Sequence, residues 1–366
     1  MKKVLTLLSI IVLLTMQFAC SSSDSPDTPA VVDPAVVTDD FIRAADISFL
    51  PEIESAGTIL YNNGKAEDML TTLKNAGCNT IRIRLWKNPG NGHSGITEVK
   101  ALAARVKQAG LKVWLTVHYS DTWADPGSQT TPDEWKNLSF ADLKTAVATY
   151  TSTIITEINP DIIQIGNEIN SGLLWPQGHL INQEAQCIDL LKTASATIRS
   201  KAPNTKIMIH YAGVKASDTD WFFTKVKNVD YDYIGLSYYP VWHGKDLVVV
   251  KSTIDALGSK FSKKVIIAET AYPFTLLWND WTDNIVGGKD QLVFEYPATA
   301  DGQKKYILAI KNLVKTSKSG IGFAYWGGEW ISFKGKEAKN GSTFENQAFY
   351  DFDNKALPVL QAFNLN

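Results

Sequence analysis

Two glutamates close near-continuous apolar runs. Glu168 ends Asp-Ile-Ile-Gln-Ile-Gly-Asn-Glu (161–168), and Glu269 ends Lys-Val-Ile-Ile-Ala-Glu (264–269). An apolar run of this kind reads as a strand buried on both faces, and a terminal carboxylate is then delivered to the mouth of a sheet. Two facing carboxylates are the minimum equipment for cleaving a glycosidic bond: one protonates the leaving oxygen, the other attacks the anomeric carbon or activates water. For the attacking mode the carboxyls must lie about 5–5.5 Å apart and differ in protonation at one pH. An ionised Glu269 raises the pKa of Glu168 by like-charge repulsion, and a cation must hold Glu269 ionised. Arg82, in a buried run beside the first strand, is the candidate, and that pairing explains an arginine inside a strand. Arg84 lies two residues on and faces the same side of an ideal strand, so one of the two arginines is open to a structural role.

The elements that must position these groups alternate along the chain. Candidate strands are Ile42–Ile47, Thr80–Trp86, Lys112–His118, Ile162–Asn167, Lys206–His210, Tyr233–Ser237, Val265–Glu269 and Gly322–Trp326. Between them run helical stretches with apolar residues at 3.6 spacing. Ala66–Ala76 stops at Gly77 and Glu98–Ala109 at Gly110, each glycine suited to a left-handed C-cap. Ser139 caps the run to Ile158, and Asp301 caps Gln303 to Lys318. Eight such units predict an α/β fold, a (β/α)8 TIM barrel forming one domain over 41–366. An open doubly wound sheet is the alternative, but no Gly-rich phosphate turn follows the first strand. In a barrel, chemistry sits at the C-terminal ends of strands. Those ends carry Asp46, Arg82, Arg84, Trp86, His118, Asn167, Glu168, His210, Tyr238, Tyr239, Trp242, Glu269 and Trp326. His118 and His210 read either as site residues or as core histidines satisfied by backbone. Trp123, Trp175 and Trp242 fall in loops, as sugar platforms or as lid packing.

Several of these segments are long and specific. Ala-Ala-Asp-Ile-Ser (44–48), Ile-Arg-Ile-Arg-Leu-Trp (81–86), His-Tyr-Ser-Asp-Thr-Trp-Ala-Asp-Pro-Gly (118–127), Gly-Asn-Glu-Ile-Asn-Ser-Gly-Leu-Leu-Trp-Pro (166–176), Ser-Tyr-Tyr-Pro (237–240) and Ala-Glu-Thr-Ala-Tyr-Pro (268–273) resemble the endo-β-1,4-galactanases of glycoside hydrolase family 53. The resemblance runs from about Phe41 to the C-terminus. It implies a retaining mechanism on β-1,4-galactan, with Glu168 as acid/base and Glu269 as nucleophile. It also implies that Arg82, Asn167, Tyr238 and Trp326 hold the sugar, with His118 nearby, and no required cofactor; strand-end and loop position add Asp121, Trp123, Trp175, His210 and Trp242 as candidate sugar contacts. Some bacterial members carry calcium near the seventh and eighth loops; here Asp280, Asp283 and Asn284 could supply oxygen ligands, although their spacing matches no calcium loop. The chain departs from the family at Tyr325-Trp326-Gly327-Gly328-Glu329-Trp330, where members often read Tyr-Trp-Glu-Pro-Ala-Trp.

The N-terminus addresses the protein to export. Lys2 and Lys3 precede the apolar stretch Val4 to Ala19, which is short of the roughly 20 residues of a spanning helix and reads as a signal peptide over 1–19. Cys20 after Ala19 resembles a lipoprotein cleavage site; plain cleavage nearby would discard it. The Ser/Pro/Asp-rich segment to about residue 40 has nothing to bury and reads as a flexible linker. Lipid on Cys20 implies anchorage to a bacterial outer membrane, with the domain at the cell surface. With Lys+Arg 36 against Asp+Glu 38, net charge −2, no basic face is signalled and nucleic acid is not an expected partner. Eleven Trp and thirteen Tyr exceed what a core needs and suit stacking on sugar rings. Cys78 and Cys187 read as two buried free thiols, with one disulfide between them as the alternative. Two further readings remain: a β-mannanase-like retaining barrel, which shares Asn167, Glu168 and Glu269 but not the 120–126 loop, and a catalytically silent glycan-binding lipoprotein, which would lack one carboxylate.

Overall fold

The computed structural model describes residues 40–364; the signal peptide, Cys20 and the linker through residue 39 lie outside the described residues. Eight parallel strands close a barrel: β1 Ile42–Asp46, β2 Thr80–Leu85, β3 Lys112–Val117, β4 Ile162–Ile165, β5 Lys206–Ala212, β6 Tyr233–Ser237, β7 Lys264–Thr270 and β8 Gly320–Tyr325. β1 seals the ring, pairing with β8 (Ile42 opposite Gly322) and with β2 (Ala44 opposite Thr80), so the sheet has no free edge to shield. This is the (β/α)8 barrel the alternation predicts. No helix among the described residues is long and apolar enough to cross a membrane.

The strands are apolar on both faces because both are covered. Inside, Ile42, Ala44, Trp114, Ile162, Met208, Ile266, Ala268 and Ala324 fill the barrel as one cluster. The outward residues join a larger core under the helices, which includes Ile81, Ile163, Ile207, Ile234, Ile267 and Phe323. Small residues make room for large ones: a Cβ on Gly235 would stand 2.6 Å from Met208 Sδ. At Gly322 a Cβ would stand 2.4 Å from the backbone oxygen of Ile42, which cannot swing aside. Gly322→Ala is therefore expected to destabilise the barrel by about 1–3 kcal/mol through overpacking, read as a lower urea midpoint with unchanged slope. An unmoved midpoint would mean that the β1–β8 seam yields freely.

Helix ends follow local chemistry. Asp68 accepts from the Thr71 N–H and Ser139 from the Asp142 N–H, and Gly77 closes its helix in the left-handed region at φ 99°. Several helix boundaries shift by a few residues from expectation, and two of the shifts have a local cause. The first long helix starts at Met69 instead of Ala66, because Lys65 and Ala66 pair with Tyr61 and Asn62 in a small hairpin. Asn63 and Gly64 turn it with positive φ at both positions, the Asn-Gly signature of a tight hairpin turn. The last helix runs Ala300–Lys315 and is capped by Thr299, whose hydroxyl accepts from the Gly302 N–H. Asp301 sits inside the first turn and pairs with Lys305. Cys78 and Cys187 are buried and unpaired.

Candidate active site

β4 ends at Ile165, sooner than the sequence suggests, and Glu168 reaches the cleft by a turn. Gly166 leaves the strand at φ 78°, and Glu168 itself sits in the left-handed region at φ 48°. For a non-glycine residue that conformation costs on the order of 1–3 kcal/mol and persists only where neighbours enforce it. The neighbours are present. Asn170 exchanges two hydrogen bonds with the backbone of Ala212, at 2.8 and 2.9 Å, the Ile169 N–H donates to His210 O at 3.1 Å, and Gln129 Nε2 donates to Asn167 O at 2.8 Å. The loop after β4 is thus fastened to β5 and to the third loop.

Glu269 arrives from β7, where a bulge shifts the register against β6 between Leu236 and Ser237. One carboxylate oxygen of Glu168, one of Glu269 and a ring nitrogen of His210 all lie within 4.8 Å of one another. Arg82, 1% exposed, joins the second strand to this pair. Its Nη1 donates to Asp46 Oδ2 at 2.7 Å; its Nη2 donates to Glu269 Oε1 at 2.7 Å and to Asn167 Oδ1 at 3.0 Å. The Tyr239 hydroxyl donates to Glu269 Oε2 at 3.0 Å.

These contacts separate the two acids. Burial pushes the Glu168 carboxyl up to about 8, and the neighbouring charge of Glu269 adds to it. Burial raises Glu269 too, but Arg82 and the Tyr239 hydroxyl oppose that directly. Both oxygens of Glu269 accept charge-stabilising hydrogen bonds, one of them from a cation, whereas the Glu168 carboxyl accepts from Ser237 alone among the described residues. The pair titrates as a unit, with its first proton leaving Glu269. His118 Nδ1 accepts from the Ala124 N–H at 3.0 Å, and burial together with Arg84 and Arg82 keeps the ring neutral.

One pocket gathers Asp46, Arg82, Arg84, His118, Trp123, Asp125, Asn167, Glu168, Tyr239, Trp242, Glu269, Trp326 and Phe344. Both arginines of the second strand therefore reach it. The Arg84 guanidinium is held among aromatic faces, 4.2 Å from the Trp123 centroid, 4.4 Å from Phe49 and 4.6 Å from Trp86. Trp242 is 55% exposed at the rim.

Four expected sugar contacts do not line this pocket. Tyr238 is fully buried and its hydroxyl donates to Gly244 O at 2.9 Å, away from the pocket; Tyr239 takes its place. The pleat explains the exchange, since Gly235, Ser237 and Tyr239 share the inward face and Tyr238 the outward one. Asp121 ties loops together, accepting from the backbone N–H groups of Asn88 and Asp133 at 2.9 Å each, while Asp125 lines the pocket. Trp175 stacks on His179 and donates to Ser171 O. His210 lies beneath the pocket floor, fully buried.

The expected calcium ligands do not form one donor set. Asp280 already accepts from the Thr282 N–H at 2.7 Å and from the Ser332 hydroxyl at 2.8 Å, and Asp283 is exposed. Among the described residues, the only group of three acidic, histidine or cysteine side chains close enough to share an ion is Glu168, His210 and Glu269, and there Arg82 already supplies the cation. In the altered eighth loop Glu329 is buried, accepts from the Phe49 N–H at 2.9 Å, and is pushed up to about 8 by burial and the charge of Asp46. It braces the first loop and does not line the pocket.

Residues 42–363 match the profile of Glycosyl hydrolase family 53. The chain belongs to that family. Family 53 is also what its relatives indicate. The Ignisphaera aggregans GH53 catalytic domain superposes with a TM-score of 0.85 at 37% identity, covering 90% of this chain and 97% of that one. The endo-beta-1,4-galactanase of Bacillus subtilis is 31% identical over 88% of this chain and 85% of its own length. The arabinogalactan endo-beta-1,4-galactanase of Cellvibrio japonicus is 33% identical over 88% and 90%. As a family 53 glycosidase, the chain needs no cofactor.

The buried cation is also the site's structural weak point. Removing one partner of a buried ion pair strands the others, at a cost of about 3–5 kcal/mol. Arg82→Met leaves both Asp46 and Glu269 without their cation, so a loss of that size is expected in urea unfolding, together with near-complete loss of activity. A stability change near zero would show that water or rearrangement replaces the guanidinium.

Proposed function

We propose that the protein is an endo-β-1,4-galactanase that retains anomeric configuration. The observation that carries the reading is the pair of carboxylates with oxygens within 4.8 Å, which suits a direct attack and leaves no room for the intervening water of an inverting enzyme. Glu269, ionised beside Arg82, attacks the anomeric carbon. Glu168, protonated, gives its proton to the glycosidic oxygen, and later takes one from the water that releases the galactosyl-enzyme. Asn167 keeps one amide N–H on Ala124 O and offers the other to the sugar 2-hydroxyl, a contact that strengthens as positive charge develops on the ring. His118, Trp123, Trp242 and Trp326 line the sugar's path, with Tyr239, not Tyr238, beside the nucleophile.

Digestion of unbranched β-1,4-galactan, with products sized over time, tests the reading. A ladder of intermediate oligomers is the expected result. Cleavage of mannan instead of galactan would favour the mannanase-like reading, a single small product from the outset would mark an exo-enzyme, and no new reducing ends would leave a glycan-binding protein.

The Val4–Ala19 run, Cys20 and the polar segment behind it support export with a lipid anchor, placing the barrel at the surface of a bacterial outer membrane, where a polymer too large to enter the cell is met first. Cys20→Ala is expected to move the protein from the membrane fraction to the soluble one. Unchanged partitioning would remove the anchor.

A further inference from the structure

Ser237 ends β6 beside the acid but belongs to neither carboxylate's assigned role. Its Oγ lies 2.5 Å from Glu168 Oε1 and 2.9 Å from His210 Nε2. A hydroxyl has one proton and cannot donate to both. The far side of the imidazole decides the direction. His210 Nδ1 faces the backbone N–H of Glu168 at 3.3 Å, a donor that cannot be reversed. It also faces Gln164 Nε2 at 2.9 Å, and that amide is oriented by its donation to Gly166 O at 3.1 Å. Asn167 Oδ1, 3.2 Å from the same nitrogen, already accepts from Arg82. Nδ1 therefore carries the lone pair and Nε2 the proton. Burial, with Arg82 and His118 nearby, holds the ring neutral. The chain of donors then runs one way: His210 Nε2–H to Ser237 Oγ, and Ser237 O–H to Glu168 Oε1.

We propose that Ser237 and His210 are positioning residues that keep Glu168 Oε1 a permanent acceptor, so that Oε2 alone carries the catalytic proton. This rests on the reading of Glu168 as acid/base. In the first half-reaction the Oε2 proton passes to the glycosidic oxygen as the C1–O bond breaks and its electron pair goes to that oxygen, while Glu269 bonds to C1. In the second, water attacks C1, its proton goes to Oε2, and the C1–Glu269 bond breaks with its pair returning to the carboxylate. Oε1 accepts from Ser237 through both. Holding the proton on one oxygen removes a competing carboxyl arrangement in which the acid faces the wall, a saving in misoriented states.

Ser237→Ala tests this through a readout that packing alone would not move. The groups facing Glu168 are Glu269 on β7, Arg82 on β2, Asp125 in the third loop, Tyr239 after β6 and His210 on β5, and none of them is altered by the substitution. Loss of a hydrogen bond to the ionised form makes Glu168 harder to deprotonate, so the alkaline limb of kcat/KM is expected to move up by roughly one pH unit. Turnover of galactan is expected to fall ~10-fold, with a much smaller fall on an aryl β-galactobioside whose leaving group needs no proton. In a Glu168→Gln background the same substitution should leave the pH profile unchanged. Should the alanine variant not fold, Ser237→Cys preserves the packing with a weaker donor and should move the limb in the same direction by less. An unmoved limb with equal losses on both substrates would reduce Ser237 to a packing residue. Failure of Glu168→Gln itself to discriminate between leaving groups would instead overturn the acid/base assignment, so the two failures are told apart.

Discussion

Glu269→Gln is expected to lower galactan hydrolysis by on the order of 10⁴-fold or more, because a covalent mechanism that loses its nucleophile keeps only the rate that positioning supplies. Galactan binding should persist. The amide occupies the same volume, the aromatic pocket is untouched, and Arg82 retains Asp46 at 2.7 Å and Asn167 at 3.0 Å. What changes is charge: one carboxylate is gone from beside Arg82, and the repulsion that helped keep Glu168 protonated goes with it. Reducing-sugar release measures the first effect, and titration calorimetry with a galacto-oligosaccharide the second. Hydrolysis well above trace would remove Glu269 from the nucleophile's role. Loss of binding along with turnover would mean that the substitution disturbed the Arg82 network, not the chemistry alone.

Much of this site was legible in the sequence for one physical reason. A barrel strand is apolar because both faces are covered, so a charged residue at or inside such a run must be held by another, and Arg82, Glu168 and Glu269 name each other. The same reasoning places the eight strands. It falters where the side chain's direction depends on backbone detail. Tyr238 and Tyr239 both follow β6, and the pleat, counted in twos from Gly235, turns Tyr239 into the barrel and Tyr238 away from it. Asp121 and Asp125 stand four apart in one loop, and no periodicity distinguishes the residue that clamps backbone N–H groups from the one that meets the pocket. Glu168 was expected to close a strand. It does its work from a turn, and Gly166 two residues earlier was the available sign that the strand stops. The Ser237–His210 contact had no signal in the linear sequence, since it depends on the register in which β5 and β6 pair, with His210 opposite Gly235 and Ala212 opposite Ser237.

Glu168→Gln gives the second large effect and a different signature. General acid assistance is worth roughly 10²–10⁴-fold when the leaving group is a sugar alkoxide, so galactan turnover should fall by that much. An aryl β-galactobioside with a dinitrophenolate leaving group requires no proton, and its first step should remain near the native rate. The second step still needs a base to take the proton of water; the variant should therefore accumulate the galactosyl-enzyme and show a burst. The pH profile separates the acid from any structural role. With burial and the charge of Glu269 holding Glu168 up to about 8, native kcat/KM should hold through neutrality and fall as pH rises past that value, because the acid must be protonated to act. The acid limb belongs to Glu269, which must be ionised and which burial lifts above its ordinary value against the pull of Arg82. In the glutamine variant the alkaline limb should vanish while the acid limb stays. Persistence of the alkaline limb in that variant would assign it to another group and take the catalytic proton away from Glu168.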